Sequence, residues 1–193
     1  MLIPARQHLD TAACAERIYQ SLDRFYDRLP LTHNQLIEIL GLELSEDGTE
    51  VEHSYVIGNK TTDAFASVYP LDELKARQMG STFHLMRATP VSEQKAMRAE
   101  LSAHQKRVQS DVQDSDVPTT YLARIAVAKD RRGQGLGRAI LQGMRNEGLI
   151  EGAMALHVAA DNTPAIGFYR KLGLEFVGES DKPFRLMVGT LVL

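Results

Sequence analysis

A glycine-rich turn between a predicted strand and a predicted helix constrains this chain more than any other feature. Three glycines at alternate positions lie within Arg131–Arg138. The apolar run Thr120–Val127 before the turn is typical of a central strand, and Gly135–Glu147 after it has apolar residues at helical spacing. A helix N-terminus presents unpaired N–H groups and a positive dipole end, and glycines let that backbone approach an anion. The turn therefore predicts a phosphate or pyrophosphate cradle in a layered α/β fold.

Spacing excludes two familiar phosphate-binding loops. A Walker loop requires G-x-x-x-x-G-K-[ST], and no Gly-Lys-Ser/Thr string occurs in the chain. A dinucleotide fingerprint requires G-x-G-x-x-G, and counting from Gly133 its third glycine falls on Arg138. A tight turn whose glycines serve only helix–strand packing stays open as the alternative.

A second pattern follows the next predicted strand, Met154–Ala159. The stretch Asn162–Leu174 has the sequence NTPAIGFYRKLGL. It predicts a helix over Thr163–Leu172, with Asn162 or Asp161 as its N-cap and a proline in the first turn. The glycine that follows the helix is typical of a helix end.

Together the two patterns resemble the GNAT N-acetyltransferase superfamily. Its signature [Q/R]-x-x-G-x-[G/A] is filled by Arg132, Gly135 and Gly137. Its second motif, N-x-x-A-x-x-F-Y-x-x-x-G-[F/L], is filled by Asn162–Leu174. The resemblance covers Thr119–Val177, whereas the first 118 residues match only as an order of elements.

The resemblance implies a mixed α/β fold. We expect a central, mostly antiparallel, twisted sheet that is flanked by helices and splayed between its fourth and fifth strands. One domain would cover residues 1–193, with an elaborated, partly helical segment over 70–117 between the third and fourth strands. That segment is long enough to form part of an acceptor site, a homodimer contact or a helical cover.

The resemblance also implies a cofactor, acetyl-CoA, and residues that hold it. The strand around Ile125, Ala126 and Val127 would pair with the pantetheine arm, and Asn162 would reach the coenzyme with its side chain. The pyrophosphate would lie on the turn residues Arg132, Gly133, Gln134, Gly135, Leu136, Gly137 and Arg138. No metal is expected.

Tyr169 is the candidate catalytic residue by the same resemblance. An amine attacks the thioester carbonyl, oxyanion charge develops and a thiolate leaves, so a proton donor is required near the sulfur. A tyrosine, whose reference pKa is about 10, is neutral near pH 7 and can donate. The alternative is a packed core residue, because Tyr169 lies on the apolar helical face formed with Ala165, Phe168 and Leu172.

The residue that takes the proton from the amine is not identified. Many relatives use a glutamate on or near the fourth strand, but Pro118–Lys129 contains no acidic residue and Arg124 lies in its middle. A water chain or an amine deprotonated in bulk solvent would also serve. Five residues are candidates by location, each more typical of a solvated surface position: Glu50, Glu52, His53, Asp63 and His84.

The first half of the chain predicts a sequence of strands and helices. We expect strands over Leu2–Ala5, Glu52–Ile57 and Ala64–Tyr69. Helices are predicted over Thr11–Tyr26, Leu31–Leu40, Leu71–Gln78 and Ser92–Gln113, with Phe83–Arg87 undecided. Thr32 is a candidate N-cap. In the second half, Glu175–Gly178 and Phe184–Leu193 are predicted to be a terminal strand pair.

Composition limits the function classes. A net charge of −3 over 193 residues gives no basic footprint for nucleic acid, so a charged-tRNA acceptor is disfavoured. No apolar run reaches the ~20 residues of a membrane span, and a single cysteine, Cys14, fits a reducing cytoplasmic compartment. We expect an N-acetyltransferase acting on a small-molecule or peptide amine. A non-catalytic acyl-CoA-binding sensor or interaction module on the same fold is the alternative.

Overall fold

A seven-stranded sheet forms the centre of the computed structural model, which describes residues 1–58, 61–108, 119–178, 181 and 183–193. The strands are β1 Leu2–Pro4, β2 Ser54–Ile57, β3 Ala64–Pro70, β4 Thr119–Val127, β5 Ala153–Ala159, β6 Glu175–Phe176 and β7 Phe184–Gly189. Their order is β1-β2-β3-β4-β5-β7-β6, and every neighbouring pair is antiparallel except β4 and β5. The predicted mixed, mostly antiparallel sheet is therefore confirmed.

Seven α-helices flank the sheet in the described part of the chain. They are α1 Thr11–Ser21, α2 Asp23–Tyr26, α3 His33–Glu43, α4 Leu74–Ala88, α5 Gln94–Val108, α6 Leu136–Asn146 and α7 Thr163–Lys171. The N-cap predicted at Thr32 is confirmed, since Thr32 and Gln35 form a reciprocal capping box at the start of α3. None of the described helices combines the length and apolarity that a membrane span requires.

Several predicted boundaries are wrong. The helix predicted over Thr11–Tyr26 is two helices, because Leu22 adopts φ −146° and ψ 40°. The helix predicted over Leu71–Gln78 continues through the undecided Phe83–Arg87. Both belong to one helix, α4, which follows a single 3₁₀ turn. The predicted last strand ends at Gly189. The helix predicted over Ser92–Gln113 begins at Gln94, and its last five positions lie outside the described residues.

The two faces of the sheet pack against different helices. Ile140, Leu141 and Met144 of α6 share a core with Ile166 of α7 and with inward residues of β5. The opposite face is covered from the first half of the chain, and α1, α3 and β3 contribute Ile18, Leu36, Leu40 and Phe65 to that core. Alternate residues of a strand point to opposite faces, so each β4 side chain is assigned to one of these two environments.

Candidate active site

β4 and β5 separate after three residue pairs. Their parallel ladder joins Thr119–Tyr121 to Ala153–Ala155. β4 stays paired with β3 as far as Val127, and β5 stays paired with β7 as far as Ala159. Beyond the short ladder, each strand has one edge without a strand partner, and its polar backbone groups point into the gap. The splay that the family resemblance implied is therefore confirmed.

The glycine-rich turn opens α6 beyond the end of β4. Gly133 and Gly135 have φ values of 76° and 78°, which side-chain-bearing residues rarely adopt, and Gly135 is the N-cap. No side chain caps α6, and no described protein group accepts a hydrogen bond from the N–H groups of residues 133–138. A Cβ built on either glycine meets nothing within 4 Å. The turn thus directs a set of N–H donors and a helix dipole at open space, as an anion site requires.

Gly137 has a different role from the other two glycines. A Cβ at this position would lie 3.2 Å from Cζ of Phe168 and 3.8 Å from Cγ2 of Val127. The absent side chain therefore lets the start of α6, the middle of α7 and the end of β4 meet. The packing alternative is right for Gly137, but packing does not account for Gly133 and Gly135.

Three arginines surround the turn with positive charge. Arg132 donates from Nε to the Val127 carbonyl at 3.3 Å, and Arg138 donates from Nη2 to the Val192 carbonyl at 3.4 Å. Arg131 lies 3.6 Å from the Asp63 carboxylate. All three arginines are exposed, so their charges reach solvent beside the N–H donors. Long-range attraction of a polyanion is the expected consequence.

Asn162 and Tyr169 lie on α7. The Asn162 side chain accepts a hydrogen bond from the Ala165 N–H at 3.3 Å, so the predicted N-cap is confirmed. Tyr169 is buried, and burial raises the pKa of its phenol well above the ordinary value. No described residue forms a hydrogen bond with the Tyr169 hydroxyl, although its ring packs against Phe168. A neutral phenol without a protein acceptor is suited to donate to a bound group.

A tyrosine and a histidine meet where the splay begins, and the sequence patterns gave no signal for either. The Tyr121 hydroxyl is 2.8 Å from Nδ1 of His157, so Tyr121, in the last β4–β5 ladder pair, is joined to the β5 residue two positions beyond its ladder partner Ala155. Burial raises the pKa of Tyr121, and Glu50 and Tyr169 raise it further.

A buried ion pair lies on the face opposite α6 and α7. Arg124 of β4 contacts Glu50 with 2.7 Å between Nη2 and Oε2, and Tyr69 of β3 donates to the other oxygen at 3.1 Å. Burial opposes the charge on Arg124, but Glu50 and its other neighbours raise its pKa above the ordinary value. The expectation that Glu50 is a solvated surface residue is wrong, because the residue is 6% exposed.

The other candidate bases lie in other settings. Glu52 accepts from Arg77 and from the Gly48 N–H, both at 2.7 Å, so it is a structural partner of Arg77. His84 is also buried, against expectation, and its Nε2 lies 2.9 Å from the Ile39 carbonyl. Only Asp63, which is half-buried, and His53, which is exposed, resemble the surface residues expected.

A second buried carboxylate was not anticipated. Glu43 at the end of α3 accepts a hydrogen bond from Ser81 of α4 at 2.5 Å. Burial raises the pKa of Glu43 to about 7, although the Ser81 hydrogen bond and Arg124 act in the opposite direction. No sequence signal identified it, because its position near the end of a predicted helix is typical of an exposed residue.

Replacing Glu43 by Gln should flatten the pH dependence of stability. The folded pKa of about 7 lies above the reference of 4.5, so the folded state binds the proton more tightly. The contribution of Glu43 to the free energy of unfolding is at most about 3 kcal/mol. It is fully present below about pH 4.5 and is lost as pH rises through about 7. Urea unfolding of wild type and Glu43→Gln at about pH 5 and about pH 8 measures it. Glu175→Gln, at an exposed ion pair with Arg170, is the control. Parallel pH profiles for wild type and Glu43→Gln would contradict the assignment.

The fifth helix closes the face that holds Arg124. His104 of α5 packs against Phe25 of α2, with ring centroids 4.1 Å apart, and against Phe184 of β7 at 5.8 Å. Burial lowers the pKa of His104 to about 4, and Arg124 contributes to the same effect. α5, in the 70–117 segment, therefore packs over this face of the sheet.

Known proteins share this sequence pattern and this fold. Residues 101–174 match the model of the acetyltransferase (GNAT) family. A mycothiol acetyltransferase of Corynebacterium jeikeium is 46% identical over 57 residues, which are 28% of this chain and only 16% of that relative. An N-acetyltransferase of Staphylococcus aureus Mu50 superposes with a TM-score of 0.63 at 14% identity, over 97% of this chain and 99% of the other.

A coenzyme A complex has the same fold. The PaiA N-acetyltransferase of Thermoplasma acidophilum, solved with coenzyme A, superposes with a TM-score of 0.51 at 12% identity, over 98% of each chain. At such identities the structural likeness shows the fold alone. The chain therefore shares the fold of these acetyltransferases, and it matches the GNAT acetyltransferase family over the part that holds β4, the glycine-rich turn and α7.

Proposed function

We propose that this protein transfers the acetyl group of acetyl-CoA to a primary amine by direct attack. The observation that carries the proposal is the set of N–H groups at Gly133–Arg138, which has no acceptor among the described residues and follows a strand that has separated from its neighbour. A diphosphate is the ligand that such donors and the surrounding arginines suit.

Different residues of this chain would hold different parts of the cofactor. When bound, acetyl-CoA supplies an activated acetyl thioester. The backbone groups of Ile125, Ala126 and Val127 would hold the pantetheine arm along the unpaired edge of β4, and an N–H of this edge would polarise the acetyl carbonyl. Asn162 would reach the coenzyme from the α7 cap. The turn residues Arg132, Gly133, Gln134, Gly135, Leu136, Gly137 and Arg138 would hold the pyrophosphate.

Tyr169 is the group that we propose to protonate the leaving sulfur. Its raised pKa keeps the phenol neutral at physiological pH, and its hydroxyl has no acceptor among the described residues. A donor with a high pKa matches a thiolate leaving group less closely than a histidine would, but it cannot lose its proton to solvent beforehand.

The location and the acceptor complete the proposal. Cys14 is free and buried, which fits a reducing compartment, and we propose that the protein works in the cytoplasm. The acceptor is a small-molecule or peptide amine. The acceptor panel covers polyamines, amino sugars and peptide N-termini.

Calorimetric titration with acetyl-CoA tests the cofactor site. We expect micromolar binding of acetyl-CoA and no comparable heat with NAD or ATP. All three ligands carry phosphates, but the rest of each molecule differs. Thiol release with the amine panel then tests turnover. Binding without turnover would favour the non-catalytic sensor. No binding would mean that the turn serves structure only.

A further inference from the structure

The gap between β4 and β5 has a closed end, which limits how far a bound ligand can extend. This inference rests on the proposed binding of acetyl-CoA in that gap. The last ladder pair is Tyr121 with Ala155, and beyond it the facing edges have no partner among the described strands. A ligand that lies along the free edge of β4 must end at Tyr121, because from there β5 occupies the hydrogen-bonding groups.

The open end of the gap lies beside the glycine-rich turn. A Cβ on Gly137 would lie 3.8 Å from Cγ2 of Val127, and Arg132 donates to the Val127 carbonyl. The start of α6, and with it the proposed position of the pyrophosphate, is therefore next to the last residue of β4. Tyr121 lies six residues before Val127 on the same strand, which is roughly 20 Å at ~3.3 Å per residue.

The length of the pantetheine arm would bring a thioester close to the closed end. The arm joins the pyrophosphate to the sulfur through about as many bonds as four to five residues of extended chain, or roughly 15 Å. The sulfur would then lie within about two residues of Tyr121, and the acyl chain would continue toward the ladder. The side chains at the closed end therefore decide how long the acyl chain can be.

A hydrogen-bonded pair of rings crosses the gap at this end. The Tyr121 hydroxyl lies 2.8 Å from Nδ1 of His157, and the ring centroids are 5.8 Å apart. Tyr121 is buried and packs against Tyr69 of β3, with ring centroids 5.5 Å apart. His157 is half-buried on β5, where its backbone pairs with Leu186 of β7. Tyr121 and His157 together form a tyrosine–histidine wall across the gap on one face of the sheet.

The opposite face of the closed end is packed. Leu122 of β4 and Leu156 of β5 are buried with Tyr169 in the core that α6 and α7 cover. The strands themselves have small side chains here, Ala155 in the last ladder pair and Ala123 at the shift in the β3–β4 register. Alanines project least into the space of a short acyl group, whereas a longer chain meets either the packed core or the tyrosine–histidine wall.

We propose that the tyrosine–histidine wall determines the acyl length that this protein accepts and restricts it to acetyl thioesters. The methyl group of an acetyl thioester ends short of the wall, whereas the longer chain of a butyryl thioester reaches it. Admitting that chain requires the hydrogen bond between Tyr121 and His157 to break and one ring to move. A single misfitting methylene in a binding pocket changes discrimination by about 10–200-fold.

Calorimetric titration of wild type and His157→Ala with coenzyme A, acetyl-CoA and butyryl-CoA tests the wall. Wild type should bind coenzyme A and acetyl-CoA with similar Kd values, and butyryl-CoA at least about tenfold more weakly. His157→Ala removes one side of the wall, so butyryl-CoA should bind within about threefold of acetyl-CoA. Coenzyme A has no acyl group, so its Kd should be equal in both proteins and shows that the variant is folded.

A second variant and a control complete the experiment. Tyr121→Leu removes the ring on the other strand and should relax the same discrimination. His33→Ala makes the same chemical change as His157→Ala at an exposed histidine of α3, which pairs with Glu16. It should match wild type with all three ligands.

The outcomes distinguish this inference from the function on which it rests. Equal affinity of wild type for acetyl-CoA and butyryl-CoA overturns the role of the wall and leaves the proposed function standing. Unchanged discrimination in both His157→Ala and Tyr121→Leu overturns it as well. Variants that lose affinity for coenzyme A as much as for its thioesters assign the pair a structural role and likewise overturn the inference. A wild type that binds none of the three ligands removes the proposed cofactor site, and the inference with it.

Discussion

Tyr169→Phe should lower kcat by about 100-fold or more while leaving the Kd for acetyl-CoA unchanged. Positioned proton donors contribute roughly 10²–10⁴-fold in rate. The substitution removes one oxygen atom from a buried ring whose hydroxyl has no described protein partner, so packing and stability should change little. A group that acts only as the thiolate leaves lowers kcat and kcat/KM equally. Thiol release under saturating acetyl-CoA, with a parallel calorimetric titration, measures both quantities.

The matched control for this substitution is Tyr19→Phe. The Tyr19 hydroxyl donates to Asp27, and its ring packs against the core on the face of the sheet opposite α7. Losing the hydroxyl should leave the acetyl-transfer rate unchanged. Wild-type turnover in Tyr169→Phe would remove the acid role and would return Tyr169 to the packing interpretation that its helical spacing allowed.

Gly135→Ala should weaken acetyl-CoA binding at least about tenfold. The Cβ would project into the open space that the turn's N–H groups face, where a pyrophosphate is expected to lie. The residue must also hold φ near 78°, a conformation that costs an alanine roughly 1–2 kcal/mol. A tenfold change in Kd corresponds to about 1.4 kcal/mol of binding free energy. Displacing part of the turn from the cofactor is enough to cause a change of this size.

Gly148→Ala is the control for the conformational cost of placing an alanine at positive φ, without a change at the cofactor site. Gly148 follows the other end of α6 with φ 73°, and a Cβ there also meets nothing within 4 Å. Both variants should therefore lose similar amounts of stability in urea unfolding. Only Gly135→Ala should lose affinity for acetyl-CoA. Equal affinity in the two variants would indicate that the turn does not contact the cofactor.

The second half of the fold was predictable because its signals are local. Gly133 and Gly135 indicate a left-handed backbone that few other residues adopt. Asn162 caps a helix by accepting a hydrogen bond from the N–H three residues later. Chain neighbours decide such features, so a sequence pattern can reveal them. The splay itself entered through the family resemblance, since no propensity of the residues on β4 or β5 indicates where two strands separate.

The buried ion pair between Glu50 and Arg124 was not predictable for the converse reason. Glu50 and Arg124 are 74 positions apart, and the helices and strands between them must fold before the two meet. A glutamate in a polar, turn-rich segment is ordinarily solvated, so its burial follows from tertiary packing alone. The pairing of Tyr121 with His157 likewise depends on the parallel register of two strands.

The predicted helix lengths in the first half were wrong because single residues change the local backbone conformation. The apolar spacing that joined Thr11–Tyr26 into one helix continues across the break at Leu22, because α1 and α2 bury side chains in the same core. Periodicity reports which face is buried and is insensitive to a single non-helical residue. The same limitation hid the continuity of α4, whose polar middle has few apolar residues.

The three-pair ladder between β4 and β5 has a consequence for the lifetime of the protein. Past that ladder the sheet has two inner edges in addition to its outer ones, and each inner edge presents polar backbone groups without a strand partner. A pantetheine arm, whose amides can bond to strand edges, would complete the sheet as an added strand does. Ligand bound only to the folded state stabilises it by about 2.7 kcal/mol at a concentration 100 times Kd. We therefore expect the steady-state amount of this protein in a cell to follow the supply of coenzyme A thioesters.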